Sequence, residues 1–315
     1  MTPLLSIIIP HYNGAPHLPP CFTALRRQSY PHLEILLVDN GSSDESLALT
    51  RRDFPEVKII ALNHNLGYAG AVNRGIELST GEIIVALNND TEVAPGWAQA
   101  LVETLQAYPD AGIVASKLLL FDRRDTLHSA GDGFGRDGLP INRGVWQKDR
   151  GQFDQDAYIF GGCGGAVAYR RAMLDDIGCF DEDLFMYLED VDLNWRAQLA
   201  GYRAVFAPAA VVYHHLSATG GGKIASYYTG RNTIFILAKN LPGSIFRRHW
   251  RAIAVAQLKI AADALAAWRG EAGRARLRGQ LAGLWGLPRW LAKRRAVQQG
   301  RRVDDAYLLS LLTPK

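Results

Sequence analysis

The sequence predicts an α/β protein: a doubly wound, mostly parallel sheet followed by a C-terminal helical appendage. Three observations carry that expectation. Four short apolar runs rich in β-branched residues recur within the first ninety positions. Helix-length segments with tight loops separate them, the alternation of parallel sheets. The charge balance then reverses near residue 242: residues 1–242 carry 20 Lys+Arg against 27 Asp+Glu, and residues 243–315 carry 15 against 4. The reversal places a boundary near Leu241-Pro242-Gly243 and divides the chain into an acidic front part, 1–242, and a basic helical part, 243–315. The front part divides again into a half to about residue 120, which holds the four apolar runs, and a second half over about 121–242.

Leu4–Ile9 is the first strand, ending at Pro10 and the polar turn His11-Tyr12-Asn13-Gly14, with a helix running through Arg27. Leu33–Val38 is the second, ending at Asp39-Asn40-Gly41-Ser42-Ser43; Asp44 can cap the helix that reaches about Arg52. Val57–Leu62 is the third, followed by Asn63-His64-Asn65-Leu66-Gly67 and a helix to about Leu78. Ile83–Leu87 is the fourth, and it delivers Asn88-Asn89-Asp90. Open sheets bind ligands beyond the carboxyl ends of their strands, so these polar ends fall at one edge. A carboxylate beside two amides suits a divalent cation holding a diphosphate, because hard cations take oxygen ligands. Read alone, Asn-Asn-Asp is equally a polar turn in which Asp90 caps a helix. Asp39 can accept from the imide N–H of uracil or thymine, and Asn65 can approach base or ribose; turn chemistry explains each singly. The glycine fingerprint of dinucleotide folds is missing after the first strand, which weighs against NAD or FAD.

Gly161-Gly162-Cys163-Gly164-Gly165 either lets a ligand approach the backbone or serves packing. From Asp190 the apolar positions Val191, Leu193, Trp195 and Leu199 fit a helix into Gly201. Glu189, Asp190 and Asp192 then occupy its first turn, where the macrodipole favours carboxylates. A carboxylate so placed is expected to stay ionised and to act as a general base. Val205–Val212 is strand-like but interrupted by Pro208, and leads to Tyr213-His214-His215.

The ordered set of these segments resembles an inverting family 2 glycosyltransferase of the GT-A fold, nearest the rhamnosyltransferase-like enzymes of bacterial surface polysaccharides. The resemblance runs from about Leu4 to Asn240 and rests on Ser6–Asn13, Val38–Asp44, Asn65–Gly75, Asn88-Asn89-Asp90, Glu189-Asp190, His214 and Tyr227–Asn232. It implies Asp190 as catalytic base, with Glu189 and Asp192 supporting the acceptor side. It implies Pro10, Tyr12, Asn13, Asp39, Asn65, Gly67 and Asn89 as the nucleotide site, and Asp90 with His214 as ligands of Mg²⁺ or Mn²⁺. The D-x-D position is Asn-Asn-Asp here, leaving Asp90 the charged ligand. The Q-x-x-R-W element of processive members is absent, so one sugar is expected per reaction. The implied reaction moves rhamnose or a related hexose from a dTDP- or UDP-sugar to a hydroxyl of a polyprenyl-diphosphate-linked glycan. The alternatives are a polyprenyl-phosphate acceptor, or a nucleotide-sugar-binding protein without catalysis. A sugar nucleotidyltransferase would show a basic glycine-rich loop after the first strand, which Pro10–Gly14 lacks.

The basic part places Phe246, Trp250, Ile253, Ile260 and Trp268 on one helical face, with Arg247, Arg248, Arg251 and Lys259 elsewhere; Trp285, Trp290 and Lys293-Arg294-Arg295 follow. Such a region suits an anionic membrane surface, or else packs on the catalytic domain or another subunit. Nucleic acid is not an expected partner, since the front part is acidic. The N-terminal apolar stretch is too short for a signal peptide or span. Three scattered cysteines, Cys21, Cys163 and Cys179, read as ordinary thiols of a reducing compartment. The expected location is therefore cytoplasmic, peripheral at the inner face of the cell membrane.

Overall fold

The computed structural model describes residues 2–215 and 222–314. Its first ninety residues alternate as read: β1 (Leu5–His11), α1 (Leu18–Arg26), β2 (Leu33–Asp39), α2 (Ser46–Asp53), β3 (Lys58–Ala61), α3 (Gly67–Leu78) and β4 (Ile83–Leu87). β1 runs through Pro10 to His11 rather than stopping there. Its pairing with β4 ends at Ile8 while that with β2 continues to His11, so the proline sits where one neighbour has already left. Alternation of side chains sends Ile7 and Ile9 to one face, against Phe22 of α1, and Ile8 to the other, against Val72 and Ile76 of α3. Helices thus cover both faces, the doubly wound arrangement.

The chain continues through β5 (Thr91–Val93), α4 (Trp97–Ala107), β6 (Ala111–Leu120), β7 (Leu127–Ser129), β8 (Asp132–Gly135), β9 (Pro140–Asn142), β10 (Tyr158–Ile159), β11 (Ala166–Arg170), α5 (Arg171–Ile177), α6 (Glu189–Leu199) and β12 (Arg203–His214). The main sheet has the order β10-β12-β6-β11-β4-β1-β2-β3. It is parallel from β4 to β3 and again between β6 and β12, while β11 inserts antiparallel between β4 and β6. β12 absorbs Pro208 in a register shift between Ala207 and Val211 and so stays paired up to His214.

α7 (Gly222–Asn240), α8 (Gly243–Ala266), α9 (Glu271–Gln299), α10 (Asp305–Leu311) and β13 (Leu312–Thr313) complete the chain. Leu241-Pro242 is a turn between two helices, not a linker to a detached unit. α9 returns along α7, where Trp290 stacks on Phe235 at 4.4 Å, and β13 adds a parallel strand to β8. Two residues expected on a membrane-facing surface lie inward: Trp290 is buried by that stack, and Ile253 is buried in the apolar cluster around Phe134 and Trp195. Phe246, Trp250, Trp268 and Trp285 remain exposed.

Candidate functional site

A cleft of about 840 Å³ opens beyond the carboxyl ends of β1, β2 and β4. One wall includes Pro10, Tyr12, Asn13, Asn65, Gly67 and Asn89. Tyr12 is half exposed there, an open ring face for a base. Asn13 staples two loops: its Oδ1 accepts from Ser43 N at 2.8 Å while its N–H donates to Ser42 Oγ. Asn65 Oδ1 accepts from Gly67 N at 2.8 Å, opening α3. Asp39 lies beneath the wall rather than on it; Asn40 lines the cleft in its place. Asp39 Oδ2 accepts from Ser42 N, and its buried Oδ1 has no partner among the described residues, an acceptor of the kind a pyrimidine imide needs.

Asn89 Nδ2 donates to His11 Nδ1 at 2.7 Å, which puts the imidazole proton on Nε2, facing Ser46 Oγ at 2.7 Å. Ser46 in turn donates to Asp44, which also accepts from Ala15 N. Burial lowers the His11 pKa, in keeping with this neutral tautomer. Asp90 is buried, with Oδ1 3.1 Å from His214 Nε2. His214 Nδ1 meets His128 Nδ1 at 2.9 Å. Burial holds His128 down at about 4, so it is neutral. When His214 carries its proton on Nδ1 and gives it to His128, Nε2 is left with a lone pair beside the Asp90 carboxylate. One oxygen and one nitrogen donor at 3.1 Å suit neighbouring positions around Mg²⁺ or Mn²⁺, so these residues fit a divalent cation.

The opposite wall carries the acids. Asp190, in the first turn of α6, accepts from Gly164 N at 2.7 Å and from Val191 N at 2.8 Å. Gly164 also holds Tyr68, whose hydroxyl donates to its carbonyl at 2.5 Å. Burial raises the Asp190 pKa against the pull of these amides. Glu189 lines the same wall with Oε2 unpartnered among the described residues, and burial, then the Asp190 charge, pushes its pKa well above the ordinary value. The helix start was expected to favour ionisation; burial opposes it at both carboxyls and raises their pKa values. A helix dipole contributes only about 0.3–1 kcal/mol, less than burial of an unpaired carboxylate costs.

Asp192 does not reach the cleft. It is fully buried on the far side of α6, bonded to Arg196 at 2.9 Å, Lys239 at 2.9 Å and Asn240 at 2.8 Å. Burial pushes its pKa up, but these partners outweigh it and hold the value at about 2. Its acceptor-side role is thereby replaced by a structural one. The position is filled instead by Asp132, at the start of β8. Its carboxylate, Cys163 Sγ and the Asp190 carboxylate lie within 4.8 Å of one another. Asp132 Oδ1 is buried without a partner among the described residues, and burial, then Asp190, raises its pKa well above the ordinary value. The group is a poor cation site, since burial also drives the Cys163 thiol far from thiolate. The sequence pattern held no signal for Asp132 or His128, which enter singly from separate strands, and it offered His11 only as part of the loop after β1.

The approach to Asp190 is strained. Phe185, Tyr187 and Leu188 all have positive φ (66°, 63° and 66°), which bulky residues rarely adopt; Leu188 is left-handed, and Phe185, with ψ −65°, turns the chain so that Met186 N bonds the Leu184 carbonyl at 2.8 Å. Asn232 of α7, fully buried, donates through Nδ2 to the carbonyls of Leu184, Met186 and Tyr187 at 2.7–3.1 Å, and Arg231 donates to Asp183 and Leu184. Gly67 abuts the same turn: a Cβ there would lie 2.4 Å from the Phe185 carbonyl oxygen. Within the glycine-rich segment, Gly161 serves packing, since a Cβ would meet Asn194 of α6 at 2.2 Å.

A family model described as Glycosyl transferase family 2 matches residues 6–178. The chain is 28% identical over 281 residues to an N-acetylglucosaminyl-diphospho-decaprenol L-rhamnosyltransferase of Mycobacterium tuberculosis, covering 80% of this chain and 88% of that protein. It is 29% identical over 198 residues to a PGL/p-HBAD biosynthesis glycosyltransferase of Mycobacterium bovis, covering 62% and 69%. Among solved structures it resembles a mannosyltransferase from Pyrobaculum calidifontis in complex with GDP-Man and Mn²⁺ (TM-score 0.57, 19% identity, 99% of this chain and 87% of that one). GalNAc-T7 with UDP, GalNAc and Mn²⁺ gives a TM-score of 0.60 at 17% identity, over 75% of this chain and 47% of that one. At these identities the structural likeness speaks for the fold alone.

Proposed function

The chain belongs to glycosyl transferase family 2, and from that premise we propose that it moves one sugar, rhamnose or a related hexose, from a dTDP- or UDP-sugar to a hydroxyl of a polyprenyl-diphosphate-linked glycan. It has the GT-A fold and is an inverting glycosyltransferase; the donor, the acceptor and the cation are the proposed part. The observation that carries the reading is one cleft with a nucleotide wall on the strand ends and a buried carboxylate, Asp190, on the wall opposite.

Asp190 takes the proton of the acceptor hydroxyl as that oxygen bonds to the anomeric carbon and the bond to the diphosphate breaks. Its raised pKa brings it nearer the working pH, where a general base is most effective. Asp132 accepts from a second acceptor hydroxyl through its unpaired Oδ1, and Glu189 offers its own unpaired Oε2 on the same side. Tyr12, Asn13, Asp39, Asn65 and Asn89 hold base and ribose, with Pro10 and Gly67 shaping the wall. Asp90 and His214 would hold Mg²⁺ or Mn²⁺, which when bound neutralises charge on the departing diphosphate.

No helix among the described residues is long and apolar enough to cross a membrane. The exposed Phe246, Trp250 and Trp268 and the basic balance of the C-terminal part support contact with the anionic inner face of the cell membrane. The test is transfer from a panel of dTDP- and UDP-sugars to a lipid-linked acceptor. EDTA is expected to stop it and Mn²⁺ or Mg²⁺ to restore it. Chelator-resistant transfer would remove Asp90 and His214 as ligands.

A further inference from the structure

A second cavity, of about 490 Å³, lies between the first turns of α7 and α9. Ile224 and Tyr228 line both it and the catalytic cleft, so the two adjoin. Its walls carry Lys223, Arg274 and Arg278, with the rings of Tyr227 and Tyr228 between them. Glu271 is the acid in the cavity, 3.7 Å from Lys223, which leaves the cations in excess. Arg274 is anchored through Nη1 to the carbonyls of Trp268 and Arg269 at 3.0 and 2.9 Å. The Arg278 side chain makes no hydrogen bond or ion pair among the described residues. A cluster of guanidinium and ammonium groups with tyrosines beside it is chemistry for phosphate oxygens.

Farther along α9 the surface turns apolar. Arg274, Arg278, Leu281 and Trp285 are spaced by four, three and four residues, and so share one face of the helix. Leu281 is 66% exposed and Trp285 90%. An indole so open to water on a helix already docked by Trp290 has no packing role. The stripe passes from cation to hydrocarbon in the order of an amphiphile's head and tail.

We propose that this cavity binds the diphosphate of the lipid-linked acceptor, with the first isoprene units laid along Leu281 and Trp285. The glycan would then enter the cleft past Tyr228 and present its hydroxyl to Asp190. The inference rests on the proposed lipid-linked acceptor and adds the site that holds its lipid end.

The full chain, in EDTA so that no cation holds diphosphate in the cleft, is titrated calorimetrically with farnesyl diphosphate, farnesol and inorganic pyrophosphate. Farnesyl diphosphate is expected to bind at least tenfold tighter than either fragment. Arg274→Gln with Arg278→Gln should weaken it about tenfold or more, and Mn²⁺-dependent nucleotide binding should not change. Trp285→Ala, at an exposed position, should weaken farnesyl diphosphate but not pyrophosphate. Equal affinity of the double variant and the parent protein overturns the proposal. So does a double variant that loses flotation with phosphatidylglycerol vesicles but keeps its farnesyl diphosphate affinity, because the cluster then reads bilayer headgroups. The two claims fail separately: a parent protein that glycosylates no lipid-linked acceptor refutes the reading of function, whereas this titration requires no turnover.

Discussion

On Asp190, the proposed base, two influences meet: burial, which raises its pKa, and the amides of Gly164 and Val191, which lower it. Burial wins, so the acid limb of kcat/KM should lie above the ordinary aspartate value of about 3.9. Activity rises with pH through that limb, since the ionised form takes the proton. A limb at or below about 4 would exclude Asp190 as the titrating group. The sequence made Asp190 and Glu189 legible as acids opening a helix, and Asn65, Asn13 and Asn89 as polar strand ends. It misplaced Asp192. Two residues along an α-helix are about 200° around it, so Asp190 and Asp192 cannot face one cleft. Asp132 and His128 were illegible because their value comes from neighbours far along the chain.

Between α3 and α6 the turn over residues 185–188 sets the direction of the acids, and α7 holds it. Three non-glycine residues at positive φ oppose local preference, so no pattern in the sequence announces them. Asn232, legible only as part of a resembling Arg-Asn element, satisfies three carbonyls of that turn. Asn232→Ala should lower kcat on the order of 10–100-fold, with donor KM nearly unchanged. A proportional loss of donor affinity would instead mean general unfolding of the cleft. The α6–α7 contact makes a second prediction. Asp192→Ala leaves Lys239 with Asp181 and Arg196 with the carbonyls of Ile177, Gly178 and Cys179, but removes the carboxylate that joins them and should cost roughly 1–3 kcal/mol in chemical denaturation. The folded Asp192 titrates at about 2, below its unfolded value near 3.9, so its stabilisation is complete above about pH 4 and drains as pH falls toward 2. A variant as stable as the parent at pH 7 would show the buried cluster to be neutral.

Across the whole molecule the alternation of strands and helices was readable because hydrophobic period and turn chemistry agree locally, strand after strand. The charge reversal was readable too, but not its use. Lys293 pairs with Asp181 and Asp183, and Arg289 with Asp183, so part of the basic C-terminal segment neutralises the acidic domain on which it packs. Trp290 is consumed in the same contact, whereas Trp250, Trp268 and Trp285 are not. That partition depends on where α9 lands, which no local pattern states. The proposed function divides the cleft into a donor wall on the strand ends and an acceptor wall on α6, β8 and the glycine segment. Asp190→Asn separates them most directly, because it retains volume and touches only the acceptor wall. Its turnover should fall on the order of 10²–10⁴-fold while nucleotide diphosphate, titrated with Mn²⁺, binds as tightly as to the parent protein. Near-parental turnover in that variant would contradict the account.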